Sequence, residues 1–368
     1  MEDNEIRDWG AALKTAIPAF LSRLRGKERK GFYHYSLSGD VRRDELWGLG
    51  NAVFAAKILY MLDALTPELR ADLSRFILSF QDDKGYIWDP YIGRGPSLRR
   101  LASYARHLDL KGFMSEFRRD EETKRAETRQ AFAALRCLAS RPAAPFLQIP
   151  CAKDGIDRYI RALDWTRPWG AASHVSHLLF FLRNNWLMFH EHEDDAADLI
   201  QHAIDVANGY QQNDGSWYKP SPRMPLYQKV NGAMKMMTAF EAAEVKEFGK
   251  ARKLIDLCLG AVNDAHACDN FNIVCVLYHC QKLTTHRREE IERFCRQRLD
   301  LYKEFYWPEH GGFSFQKGKA NDFYYGARVS AAKAEPDIHG TVLFLWGVVL
   351  VTDILGLRET LGFRIPYT

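Results

Sequence analysis

The apolar positions of this chain fall at helical spacing along almost its whole length. Two kinds of segment carry that spacing. One kind is striped, with charged residues along one side: Ile6–Leu24, Glu68–Phe80, Asp154–Leu163, Ala196–Tyr210, Val245–Leu259 and Arg287–Phe305. The other is apolar nearly all round: Asn51–Leu65, Arg129–Leu138, His174–Phe189, Asn231–Ala242, Asn270–Leu283 and His339–Leu355. A striped helix covers a core from outside, whereas a helix apolar on every side must be buried on every side. The two kinds alternate, striped then apolar, and strand patterns are nearly absent. The pattern predicts an all-α protein. An alternating outer–inner array closes most simply as an (α/α)6 toroid of six outer and six inner helices, here a single domain over residues 1–368. A straight solenoid of helical pairs also alternates, but it keeps a near-constant period. The inner segments start at about 51, 129, 174, 231, 270 and 339, and these uneven intervals favour the ring. Long connections are expected from outer to inner helices, gathered on one rim where an enzyme carries its functional loops.

Similar turns follow several striped segments. One reads Phe76-Ile77-x-x-x-Gln81-x-x-x-Gly85-Tyr86-Ile87-Trp88, another Gln211-Gln212-Asn213-Asp214-Gly215-Ser216-Trp217. A third reads Pro308-Glu309-His310-Gly311-Gly312-Phe313-Ser314-Phe315, and Gly31-Phe32-Tyr33-His34-Tyr35 is a looser fourth. The Gly supplies a positive-φ turn, the aromatic wedges against the next hairpin, and the Gln amide caps backbone groups at a helix end. These turns resemble the QW motif of the terpenoid cyclases, and the Gly-Gly-Phe turn resembles that of protein prenyltransferase β subunits. Both families are α/α toroids, so the resemblance implies that fold and an isoprenoid substrate. It places Asp269, in Ala267-Cys268-Asp269-Asn270, where the cyclases hold their protonating acid, though without the flanking acids. It also brings two metals into view. Zinc would use Cys268, Asp269 and His339. Magnesium would use Asp194-Asp195-Ala196-Ala197-Asp198, which has the right spacing but opens an outer helix, where acids are favoured anyway.

In a ring, the N-terminal ends of the inner helices open onto one central cavity. Those ends read Asn51; Arg129 and Gln130; His174 and His177; Asn231 and Lys235; Asp269, Asn270 and Asn272; Asp337 and His339. Capping accounts for Asn and Asp. It does not account for Arg129, His174, His177, Lys235 or His339, whose polar groups need partners when buried. The rim loops add aromatic and basic residues: Tyr91, Arg94, Arg99 and Arg100; Arg167 and Trp169; Trp217, Lys219, Arg223 and Tyr227; Lys317, Lys319, Tyr324, Tyr325 and Arg328. The candidate catalytic residues are Asp269, His174, His339 and Tyr227. The candidate substrate contacts are Asn51, Arg129, His177, Trp217, Asn231, Lys235, Asn270, Asp337, Tyr325 and Arg328. A cavity lined by cations and helix N-termini predicts an anionic ligand, a diphosphate or a carboxylate.

Three functions fit. The first is an isoprenoid cyclase or transferase, with Asp269 as acid and aromatic rings around a carbocation. The second is a carbohydrate-active toroid. A uronate lyase would take its neutraliser from Asn231 or Arg328, its base from His174 or His339, and its acid from Tyr227 or Tyr325. A glycosidase would need the pair Asp269 and Asp337. The third is a non-catalytic toroid that binds a partner.

Composition narrows the picture. With 46% hydrophobic and 13% aromatic residues in 368, the chain is not a disordered one. A net charge of +4 from 51 basic and 47 acidic residues is no nucleic-acid signature. The longest apolar stretch, Thr341 to Val351, is too short for a membrane span. An acidic start, Met1 to Glu5, predicts no signal peptide and hence a cytoplasmic protein. Seven cysteines without a C-x-x-C pair read as reduced, buried thiols. The expected partner is a small molecule or an oligosaccharide, with no nucleic acid and no membrane span.

Overall fold

A computed structural model describes residues 1–27, 29–39, 48–92, 102, 105–106, 110–221 and 224–368, with the backbone alone for 110–120. Arg94, Arg99, Arg100 and Arg223 lie outside the described residues. The protein is all-α, with four two-residue strands among the described residues. The helices are α1 (Asp3–Leu24), α2 (Leu49–Met61), α3 (Pro67–Leu78), α4 (Leu110–Cys137), α5 (Lys153–Arg161), α6 (Pro168–Phe189) and α7 (Ala196–Asn208). They continue with α8 (Leu226–Ala242), α9 (Ala251–Leu259), α10 (Ala267–Gln281), α11 (Arg288–Tyr302), α12 (Ile338–Ile354) and α13 (Arg358–Leu361). Among the described residues no helix is long and apolar enough to cross a membrane.

Burial follows the two sequence patterns. In α2 every residue but Tyr60 is buried, and in α12 every residue but Leu343 and Asp353. The striped α7 buries Ala196, Leu199, Ile200, Ala203, Ile204 and Ala207, one face at helical spacing. The even-numbered helices contact one another in sequence: α2 with α4, α4 with α6, α6 with α8, α8 with α10, α10 with α12, and α12 with α2 again. The striped helices lie outside them. Helix α3 touches α2 and α4, α9 touches α8 and α10, and α11 touches α10 and α12.

Three inner-helix starts differ from the sequence reading in ways that move candidate residues, and one outer-helix start differs as well. Helix α4 begins at Leu110, so Arg129 lies far inside it rather than at its start. The charged run that precedes Arg129 hid those turns. Helix α6 begins at Pro168, with proline at its first position, which puts His174 and His177 in its second and third turns. Helix α8 begins at Leu226, ahead of Asn231 and Lys235. The outer helix expected from Val245 starts only at Ala251, after Lys250 in a left-handed conformation. The long connections are not all outer-to-inner. Residues 138–152 join inner α4 to outer α5, while outer α5 reaches inner α6 through the short 162–167.

The repeated turns are staples between neighbouring units. Gln81 Nε2 donates to the Ala144 carbonyl (3.0 Å), and Gln81 Oε1 accepts from the Ala143 N–H (2.7 Å). This fixes 138–152 beneath α3. Gln211 Nε2 donates to the carbonyls of Gly215 and Gly249, both at 3.0 Å. Gly85 has φ +84°, and a Cβ there would stand 2.1 Å from the Pro145 carbonyl oxygen. Connection 303–337 carries two small antiparallel ladders. In one, β1 (Tyr306–Trp307) pairs with β2 (Gly312–Phe313). In the other, β3 (Phe323–Tyr324) pairs with β4 (Ala327–Arg328).

Gly85→Ala should therefore cost more than about 3 kcal/mol, since it combines backbone strain with a clash against main chain. Gly318 also has positive φ, +76°, but nothing within 4 Å of an added Cβ. Gly318→Ala should cost only about 1–2 kcal/mol. Denaturant titration of both variants checks the contrast, and equal losses would mean the Gly85 turn is not wedged against its neighbour.

Candidate functional site

A cavity of about 530 Å³ opens among the six inner helices and the 303–337 connection. Helix α2 contributes Phe54 and Lys57, and α4 contributes Arg129 and Gln130. Helix α8 gives Tyr227, Asn231, Met234, Lys235 and Thr238, with Trp169 from the first turn of α6. Helix α10 gives Cys268, Asp269, Phe271 and Asn272, preceded by its N-cap His266, and α12 gives His339, Val342, Leu343 and Trp346. Phe315, Asn321, Phe323, Tyr324 and Tyr325 come from the connection, and Thr368 also touches the space.

Three cations share this space. Lys57 is 2% exposed, donates to Gln130 Oε1 (2.8 Å) and stands 5.0 Å from the Trp346 ring. Burial pushes its ammonium down to about 8, and the neighbouring Arg129 and Lys235 add to that. Lys235, 5.6 Å from the Trp169 ring, is likewise pushed down to about 8 by burial and by Arg129. Arg129 is 5% exposed and lowered to about 10 by burial. Its Nε and Nη2 make no hydrogen bond among the described residues. Asp269 is the single side-chain carboxylate among the described lining residues.

Asp269 sits in a polar network. Asn231 Nδ2 donates to its Oδ1 (3.0 Å), while Asn263 and Asn272 donate to Asn231 Oδ1 at 3.0 and 2.9 Å. The Asp269 N–H donates to His266 Nδ1 (3.4 Å), which leaves the His266 proton on Nε2, 3.5 Å from Asp269 Oδ2. Both carboxylate oxygens thus face donors.

His339 stacks on Phe54 (4.8 Å, 7°) and packs against Phe315 and Tyr324. Burial, then His266, drives its imidazole down to about 3, so it is neutral through the physiological range. Its Nδ1 makes no hydrogen bond among the described residues. Tyr325, 42% exposed, packs edge-on against Tyr324, and partial desolvation followed by the nearby Glu127 raises its phenol.

Of the sequence candidates, Asp269, His339, Tyr227, Arg129, Asn231, Lys235 and Tyr325 meet at this cavity. The others do not line it. Asn51 donates to the Tyr33 carbonyl (2.9 Å) inside the core. Asn270 donates to the carbonyls of Asp264 and His266 and accepts from Arg298. Asp337 caps α12 through the Gly340 N–H (2.7 Å) and accepts from the N–H groups of Phe315 and Asn321 (2.8 and 3.1 Å). Burial pushes this carboxyl up to about 7 against those donors. Trp217 is wholly buried, its indole donating to Asn208 and its ring packed near Phe240. Arg328 is exposed on β4, its carbonyl accepting from the Tyr91 hydroxyl. His174 and His177 lie in a separate polar cluster between α4, α5 and α6.

Compared with known proteins, the chain matches no protein-family model, no curated protein and no solved structure. The geometry alone therefore carries the functional argument. Lys57 and His266 were not among the sequence candidates. Lys57 had a signal, being the single charged residue in an otherwise apolar inner helix. His266 had none, since histidine is not a favoured N-cap. A metal set of Cys268, Asp269 and His339 does not assemble: among the described residues no group of three His, Cys, Asp or Glu is placed to hold an ion. The Cys268 thiol is pushed up to about 12 by burial, whereas a ligand must be a thiolate.

The depressed lysines give a prediction. Between about pH 8 and 10.5 the unfolded chain binds the Lys57 proton and the native protein does not, so stability rises with pH across that window. The cost of the buried charge is complete below about pH 8, on the order of 3 kcal/mol. Lys57→Met should be more stable than the parent at pH 7 by on the order of 1–3 kcal/mol. The advantage should vanish by pH 10.5. Denaturant titrations at both pH values test this, and a destabilised variant at pH 7 would mean Lys57 is paired.

Proposed function

We propose that the twelve alternating helices form an (α/α)6 toroid and that the protein is an enzyme acting on an acidic oligosaccharide, cleaving it by β-elimination beside a uronate carboxylate. The cycle of inner-helix contacts that returns from α12 to α2 supports the ring. The substrate reading rests on one observation. Arg129, buried and with two nitrogens unpaired among the described residues, stands in a cavity with Lys57 and Lys235. Asp269 is the lone side-chain carboxylate among the described lining residues, and it is already engaged by Asn231. Such a cavity favours a ligand that brings negative charge.

A guanidinium presents a planar fork that matches a carboxylate. Charge drawn from the substrate carboxylate acidifies the adjacent C5–H. His339, a neutral imidazole, takes that proton, and a bound anion raises its affinity for it. The C5–H electrons form a C4=C5 double bond as the C4–O bond breaks. The leaving oxygen takes a proton from the Tyr325 hydroxyl, a phenol raised above its ordinary value and so protonated at neutral pH. At the mouth, the exposed rings of Trp169, Tyr227 and Phe323 offer flat faces to sugar rings.

An isoprenoid substrate draws support from the aromatic wall and from Asp269. Three buried cations, however, would destabilise a carbocation in the same space. The glycosidase reading loses its acid pair, since Asp337 is committed to backbone N–H groups away from the cavity.

Incubation with oligouronates, neutral oligosaccharides and prenyl diphosphates separates these readings. The expected result is ultraviolet absorbance of an unsaturated uronate from an oligouronate alone. Arg129→Gln and His339→Gln should each lower kcat/KM by about 100-fold or more. Diphosphate release from a prenyl substrate would establish the isoprenoid reading instead. Tight binding without turnover of any of them would leave a binding toroid.

A further inference from the structure

Resting on the reading of the cavity as a carboxylate site, we infer that a second anion subsite adjoins it, built by Arg125 and His177 with His174 positioning Arg125, and that the substrate is a chain carrying at least two acidic groups. Arg125 and Arg129 are four residues apart on α4, hence on one helix face and about 6 Å apart along its axis. Arg129 lines the cavity, while Arg125 points to the neighbouring α6. There its Nη2 donates to His174 Nδ1 (2.7 Å), to which the Tyr159 hydroxyl also donates (3.1 Å). His174 Nε2 faces Glu122 Oε1 at 3.4 Å. His177, one turn further along α6, has its ring centre 6.4 Å from that of His174.

His177 links the two clusters. Its imidazole is pushed far down by burial and then by Arg129, Arg125, His174 and Lys235. It thus lies in the field of the cations of both clusters. Neither His177 Nδ1 nor Arg125 Nε makes a hydrogen bond among the described residues. Arg125, His177 and Arg129 thus each keep an unpaired nitrogen among the described residues, with Arg129 on the cavity wall. Glu122 is the carboxylate that faces His174, and it is half-exposed. Positive groups one helical turn apart suit neighbouring acidic residues of a polymer. They suit a single diphosphate poorly, because its two phosphates share one bridging oxygen.

The test is calorimetric titration of the full chain with a monouronate, the matching tri-uronate and a neutral trisaccharide. The trimer should bind at least about tenfold more tightly than the monomer, and the neutral sugar should bind weakly or not at all. R125Q should bring the trimer-to-monomer ratio towards one, and R129Q should weaken both ligands. R125K keeps the charge should the neutral substitution disturb the packing of α4 on α6, and it should retain most of the ratio. A ratio near one in the parent protein, or one unaffected by R125Q, would overturn the second subsite and leave the first standing. Failure of the monouronate and the trimer alike would overturn the carboxylate reading of the cavity itself.

Discussion

The inner helices have no face that water could cover. In α12 the buried run from Ile338 to Ile354 is broken only at Leu343 and Asp353, and Leu343 lines the cavity. Such a helix is stable only when neighbours enclose it, and each apolar helix here is flanked by two others of its kind. The striped helices close the outside, each laying its one apolar face against the inner set. The architecture follows from that requirement, because an array of helices buried all round leaves no exposed edge only when its contacts return to the start. Polar groups inside it must then find partners. Asn185 does so by exchanging hydrogen bonds with the Phe146 backbone, and Thr341 by donating to the Asp337 carbonyl.

Two of the buried residues that keep unpaired nitrogens among the described residues belong to the cavity wall. Arg129 and His339 are both buried, line it and keep nitrogens unpaired among the described residues. Lys57 and Lys235 are held there at depressed proton affinity. Burying three like charges beside one carboxylate works against stability, and proteins keep such arrangements where function needs them. Asp269 differs from its neighbours in being fully supported. Its asparagine ring fixes one carboxylate oxygen, and the His266 tautomer is set by a backbone N–H at the start of α10.

Connection 303–337 ties the site to the scaffold. Asp337 caps α12 and at the same time accepts from the backbone of Phe315 and Asn321. One buried carboxyl therefore holds both the helix that carries His339 and the loop that carries Tyr324 and Tyr325. The glutamine-and-glycine turns act further out, fastening outer helices to the next unit through backbone carbonyls. Trp217 belongs with those fasteners: its ring fills the core behind the turn. The turns that resemble the QW motif thus act in packing, away from the cavity.

The sequence by itself determined the all-α character, the alternation of enclosed and covering helices, and the cationic nature of what the inner helices carry. Each is written in local periodicity, because the faces a helix must hide are set by its own residues. It did not determine where those helices begin. The charged turns before Arg129 and the proline start of α6 conceal extra length, so residues taken for helix openings lie deep inside. Nor did it separate a cap from a ligand. Asn51, Asn270 and Asp337 satisfy backbone or neighbouring side chains, while Lys57 and His266 turn to the cavity. Only the tertiary structure decided this, because periodicity records that a side chain is shielded from bulk water but not whether packed protein or a cavity lies against it.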